Sequence, residues 1–178
     1  MIDPTRPPDV AQYDDLVRRL ERLERTVRLA NLGLQADIVT TLETCTATSY
    51  DNLATVGPTV TMLAPPSGRL FVLATAQTQI ALQPGAGVNF GQALLAVKIT
   101  GDSSFTPVVG TAGHDSAAYV QRDDTTPELI IDLPVVHARE MEGLEGTITL
   151  TCVYAKASDE PAATIMRFYN RSLVVLPI

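Results

Sequence analysis

The chain has no tryptophan, only five tyrosines and four phenylalanines, two cysteines and two histidines. Each shortage excludes something. Sugar-binding faces are built from exposed aromatic rings, so a lectin-like reading is weakened. Hydrolysis needs a positioned base, and His114 and His137 are the only imidazoles. His114 stands in Gly113-His114-Asp115-Ser116, but neighbours on one loop do not converge as a Ser-His-Asp triad, which geometry rather than adjacency defines. It reads as a surface turn histidine. His137 alternates with Val136 and Ala138 and reads as an ordinary strand residue. Cys45 and Cys152 fall inside expected strands without CxxC spacing, which excludes a structural zinc motif. With no secretion signal they read as buried thiols rather than a disulfide.

Other absences narrow the field further. No window offers about 18 uninterrupted apolar residues, so no membrane-spanning helix is expected. The lead Met1-Ile2-Asp3-Pro4-Thr5-Arg6-Pro7-Pro8 has an early acid, three prolines and no apolar h-region, and is not a signal peptide. Asp102 and Asp123-Asp124 lack the spaced Asp/Asn/Gly loop of a calcium hand. Gly85-Ala86-Gly87 is followed by no GK[ST] and reads as a hairpin turn. Glu140, Glu142 and Glu145 lie in a glycine-containing connection and read as a solvated charge run rather than a glycosidase pair. No catalytic residue, metal or cofactor is expected.

Charge is uneven along the chain. Residues 1–34 hold six Arg and six acids, while residues 35–178 hold seven basic and fourteen acidic residues and so carry the whole formal charge of -7. An acidic body is repelled by phosphate backbones, so nucleic acid is not an expected partner.

What is present begins with a stripe. Tyr13, Leu16, Leu20, Leu23, Val27, Ala30 and Leu34 follow one another at alternating steps of three and four residues, the a/d seam of a coiled coil. Asp9 caps this expected helix, Gln12 completes a capping box, and Gly33 ends it. Four acid-before-Arg pairs at i,i+4 lace the outer face (Asp14–Arg18, Asp15–Arg19, Glu21–Arg25, Glu24–Arg28), each contributing about 0.3 kcal/mol. With Tyr13, Leu20, Val27 and Leu34 at a, Arg19 falls at g and Glu24 at the following e, placed to bridge neighbouring chains in a parallel bundle. So narrow a seam is expected to bury itself against sister chains, a homotrimer before a dimer. The competing arrangement is an amphipathic helix lying on its own β domain.

Beyond residue 36 the period changes to two. Expected strands are Ile38–Ser49, Thr59–Leu63, Arg69–Ile80, Gln92–Thr100, Ala117–Arg122, Glu128–Asp132, Val135–Arg139, Thr147–Tyr154 and Thr164–Val175, separated by Gly- and Pro-rich punctuation. Pro134 splits what would otherwise be one long strand, and marks an edge or a sheet-switching corner. The expected fold is mainly β: an antiparallel, jelly-roll-like β-sandwich preceded by a short N-terminal coiled-coil helix. Its parts are an extended anchoring peptide (1–8), the helix (9–35) and the sandwich head (36–178). A free chain end frays unless held, and the lead with Ile2, Pro4, Pro7 and Pro8 is expected to anchor the chain on a larger assembly.

Two stretches carry a resemblance. Ser49-Tyr50-Asp51-Asn52-Leu53-Ala54-Thr55-Val56-Gly57-Pro58-Thr59-Val60 and Phe168-Tyr169-Asn170-Arg171-Ser172-Leu173-Val174-Val175-Leu176-Pro177-Ile178 are similar to the opening and close of a β domain found in actinobacteriophage virion proteins, often labelled minor tail proteins, and in actinobacterial chromosomal copies. The likeness spans roughly residues 45–178 and is sharp at its two ends. It implies a non-enzymatic virion protein, made in the host bacterial cytoplasm, of tail or fibre type. Other virion proteins would be its partners through the N-terminus, with a host surface glycan or protein a further candidate. Capsid decoration protein or head fibre, and the carbohydrate-binding module of a cell-surface protein, are the alternatives. Tyr50, Gly57, Pro58, Asn170 and Arg171 are expected to act as fold determinants: Tyr50 at the sandwich end, Gly57-Pro58 in a turn, Asn170 fixing a bulge and Arg171 paired with a carboxylate or carbonyl.

Overall fold

The computed structural model describes residues 18–19, 33–82, 89–111, 113–114, 116–122, 129–157 and 164–178. The chain divides into two compact units, Met1–Gly33 and Leu34–Ile178. Of the first, Arg18 and Arg19 are helical and exposed. The stripe residues from Tyr13 to Ala30, with Glu24, and the anchor residues Ile2, Pro4, Pro7 and Pro8 lie outside the described residues.

The described residues of the second unit form nine strands: β1 (Gln35–Val39), β2 (Glu43–Cys45), β3 (Thr59–Leu63), β4 (Leu70–Leu82), β5 (Asn89–Gly101), β6 (Ser116–Arg122), β7 (Leu129–Met141), β8 (Thr147–Lys156) and β9 (Ile165–Pro177). One sheet has the order β1-β9-β4-β7, with β2 also paired to β9; the other runs β3-β8-β5-β6. All pairings are antiparallel. Most connections cross from one sheet to the other, and β9 returns to lie between β1 and β4. That is the strand order of a jelly roll.

Alternation explains which residues fill the space between the sheets. Along β4, Leu70, Val72, Ala74, Ala76, Thr78 and Ile80 point inward; β5 contributes Ala93, Leu95, Val97 and Ile99, and β8 Ile148, Leu150, Cys152 and Tyr154. All of these but Thr78 join in one contiguous apolar cluster. Each fully buried Leu, Ile or Val contributes about 1.5–3 kcal/mol relative to exposure.

Two strand expectations are corrected. The segment expected as one strand from Ile38 to Ser49 is two, β1 and β2, because both pair with β9 on either side of an irregularity. Val39 faces Arg171 and Glu43 faces Phe168, so residues 40–42 step past the place where β9 itself bulges. The segments on either side of Pro134 are one strand, β7. Proline is accommodated because β7 is the terminal strand of its sheet, with β4 as its neighbour, and the missing N–H falls on the open side. The Leu133 carbonyl is held instead by the Thr78 hydroxyl at 2.8 Å.

Candidate functional site

The two stretches that carry the resemblance meet at one buried charge. Thr75 pairs with Ser172 while Gln77 pairs with Tyr169, so β9 spends one extra residue opposite Ala76. Asn170, at φ 47°, occupies the left-handed conformation there, which asparagine tolerates better than other side chains. The extra residue changes the parity of β9. Met166 and Phe168 point inward before it, and Arg171, Leu173 and Val175 after it. A strand without the bulge would put Arg171 on the outside.

Arg171 is completely buried. Its Nη2 lies 3.2 Å from Glu43 Oε2, and its Nη1 donates to the carbonyls of Thr55 at 3.3 Å and Gly57 at 3.4 Å. The guanidinium sits 5.5 Å from the centre of the Tyr154 ring, whose hydroxyl donates to the same Gly57 carbonyl at 3.2 Å. Glu43 Oε1 accepts from the Thr55 amide at 2.8 Å and the Thr55 hydroxyl at 2.5 Å. Gly57, at φ 104° and joined to Pro58 by a cis bond, presents its carbonyl to this cluster. Tyr50 is half-buried, beside Asp51, whose backbone exchanges two hydrogen bonds with Tyr154 at 3.1 and 2.9 Å. Burial pushes the Cys152 thiol up to about 12, the hydrogen bond to Tyr154 and the charge of Arg171 opposing it. Burial also raises the Tyr154 hydroxyl, against the pull of Arg171. A guanidinium so enclosed, with protein carbonyls and a carboxylate around it, holds loops to strands; it has no open side for a substrate.

Sequence reasoning missed Glu43 as the partner of Arg171. The expected strand Thr164–Val175 carries two arginines, Arg167 and Arg171, and only the bulge at Asn170 decides that Arg171 is the one turned inward to meet Glu43.

Other candidates fall apart or stay separate. Cys45 and Cys152 are both buried, and no disulfide joins them. His137 is buried on the inward face of β7, with its Nδ1 3.5 Å from Ser116 Oγ, whereas His114 accepts from the Val108 amide at 3.3 Å and meets the Phe105 ring edge-on at 5.0 Å. The loop trio is therefore split between two places, with Asp115 outside the described residues, as are Asp123, Asp124 and Gly85–Gly87. Asp102 caps a turn by accepting from the Thr147 amide at 2.7 Å. Glu140 and Glu142 both lie against Arg69, and Glu145 binds Ser103 through its backbone. Among the described residues no three His, Cys, Asp or Glu side chains gather as a metal site, and no helix is long and apolar enough to cross a membrane.

A cavity of about 420 Å³ opens between the β5–β6 connection and the β7–β8 turn, lined by Ser103, Phe105, Arg139, Glu142 and Leu144 among others. Its size suits a small ligand, but its ring is already engaged: Arg139 lies 4.4 Å over Phe105, and His114 meets the same ring in a T-shaped contact. That leaves little open aromatic face for sugar stacking.

No family model and no curated protein matches the chain. Solved structures similar to it include a CocE/NonD family hydrolase from Staphylococcus aureus, at TM-score 0.36 and 7% identity over 84% of this chain and 37% of that one. Another is infectious bursal disease virus Gt strain, at TM-score 0.34 and 12% identity over 81% of this chain and 32% of that one. The chain thus spans about a third of the length of either, and likenesses at this level carry no functional argument.

Proposed function

We propose that this chain is a non-enzymatic structural component of a bacteriophage virion, a homotrimer of tail or fibre type. Its N-terminal peptide fastens it to the particle, its heptad stripe joins the copies, and its β head is displayed. Capsid decoration protein or head fibre is the neighbouring reading, differing only in where the anchor sits.

What supports the reading is the meeting of the two resembling stretches around Arg171. They lie at opposite ends of the head's sequence, yet the carbonyls of Thr55 and Gly57 and the guanidinium of Arg171 form one cluster. Two segments far apart in the sequence thus belong to one structural unit, as parts of a single domain would. Repeated copies on one particle turn individually weak contacts into strong attachment through effective concentration.

The test is direct. Sedimentation equilibrium of the full chain should give three times the monomer mass, and peptide mass spectrometry of purified particles should find it in fixed stoichiometry. Deleting residues 1–8 should abolish incorporation while leaving the trimer. A monomeric chain, or incorporation indifferent to the deletion, would overturn the proposal.

A further inference from the structure

The two outward faces of the head differ in how their apolar residues are grouped. Facing out from the β3-β8-β5-β6 sheet are Thr59, Thr61, Thr149, Thr151, Lys98 and Thr100, with hydroxyl contacts between Thr61 and Thr149 at 2.9 Å and between Thr59 and Thr151 at 3.4 Å, while the exposed Leu63 on β3 and Tyr119 on β6 stand on the two outermost strands with β8 and β5 between them. The other sheet presents three adjoining rows instead. Leu176 and Phe71 form the first with Glu140; Ala36, Val174, Leu73 and Ala138 form the second; Ile38, Ser172, Thr75 and Val136 form the third. Ile38 is 65% exposed, Val136 52%, Leu176 41% and Phe71 39%. Leu34, next in the alternation of β1, is 63% exposed. Together they leave roughly a few hundred Å² of contiguous apolar surface, the scale at which a patch marks a contact site.

We infer that this face packs against neighbouring copies of this chain around their common axis, extending self-association from the stripe into the head. The choice of occupant rests on the self-association proposed above, and three observations favour it. Leu34, expected to close the heptad stripe, is not helical but stands exposed before β1, which opens at Gln35 within the bounds expected for the helix (9–35), so the last stripe position belongs to this face. The head holds seven basic against fourteen acidic residues, so copies repel except across an uncharged surface. These rows carry one formal charge, Glu140, and Arg69 neutralises it.

The third observation is polar satisfaction. Thr75 and Ser172, in the middle of the face, bond each other at 2.7 Å, so both hydroxyls can be buried without an orphaned group. Beyond the apolar rows a polar row follows, with Arg167 donating to Gln79 at 2.7 Å and Asp132 beside it. An apolar centre with a polar rim is the anatomy of a protein–protein contact.

Sedimentation of the full chain carrying single substitutions tests the inference. Val136→Glu and Ile38→Glu place like charges on the face at exposed positions and should weaken association by about tenfold or more. Thr61→Glu, on the opposite sheet, should leave it unchanged, and Ala138→Glu repeats the test if either face variant loses its fold. Face variants that associate like the parent chain overturn the inference, as does a parent chain that is monomeric. Leu20→Asp, in the stripe, separates the two ideas. Dissociation by Leu20→Asp alone removes the face contact and leaves the stalk, whereas dissociation by the face variants alone removes the stalk and leaves the face.

Discussion

Arg171 and Glu43 stand 3.2 Å apart in the interior of the head, and one residue of bulge puts them there. The arginine belongs to a strand whose inward side is otherwise apolar, so its desolvation has to be offset locally. Glu43, the Thr55 and Gly57 carbonyls and the Tyr154 ring do this together. The cluster ties β2, β8, β9 and the turn before β3 to one another.

Removing one partner leaves the other buried and uncompensated. Arg171→Met and Glu43→Gln should each destabilise by about 3–5 kcal/mol in urea unfolding. The double variant Glu43→Met, Arg171→Met should lose much less than the sum of the two, since neither charge then remains inside. Additive losses would mean that the two side chains do not act as a pair.

Asn170 offers a cleaner backbone test. At φ 47° glycine fits without strain, so Asn170→Gly should change stability little, whereas Asn170→Val should cost about 1–3 kcal/mol because a β-branched side chain is disfavoured there. Deleting Asn170 would restore strict alternation and turn residues 171–175 inside out. Circular dichroism of that deletion should show loss of the native fold rather than a modest shift in Tm.

How much of this was legible in the sequence depended on range. Strands bounded by turn residues were readable: β3 was expected at Thr59–Leu63 and is found there, because its alternation and flanking Gly57-Pro58 and Pro65-Pro66 are local signals. Pro134 was read half correctly: it does mark an edge, since β7 is the terminal strand of its sheet, but it does not split the strand, because proline interrupts a strand only where its N–H is needed. The pairing of Glu43 with Arg171 depends on which strands become neighbours. The apolar outer face is concealed for the same reason: Phe71, Leu73 and Val136 look like ordinary strand hydrophobics until the register places them in adjoining rows with Val174 and Ile38.

Cys152 makes stability depend on alkaline pH. Its thiol rises from an ordinary value of 9.0 to about 12 on folding, so the folded chain holds a proton that the unfolded chain gives up. The associated stability is complete below pH 9 and is lost as pH rises toward 12, at a limiting slope of about 1.4 kcal/mol per pH unit. The raised Tyr154 hydroxyl acts in the same sense from about pH 10, its ordinary value, upward. Urea unfolding at pH 7, 9 and 10.5 should show the decline, and Cys152→Ala should reduce it. Equal pH profiles for the two proteins would show that the thiol ionises freely in the folded state.

Gly101 ends β5 at φ 116°, and a Cβ built there would stand 2.3 Å from the Thr147 carbonyl oxygen and 3.2 Å from the Ile148 Cα. The obstacle is backbone, held in place because Asp102 donates its amide to the same Thr147 carbonyl at 3.0 Å and accepts the Thr147 amide through its carboxylate at 2.7 Å. No rotation of a neighbouring side chain relieves the overlap. Gly101→Ala therefore combines a disfavoured backbone conformation with a clash that only a shift of β8 against β5 can remove, and should cost about 2–4 kcal/mol. Gly110→Ala is the open-space comparison: its φ of 77° lies nearer the left-handed helical region and nothing lies within 4 Å of the added atom, so it should cost about 1 kcal/mol. A larger loss for Gly101→Ala in chemical denaturation is expected from its more strained φ together with the contact to Thr147, and equal losses would show that β8 moves aside freely.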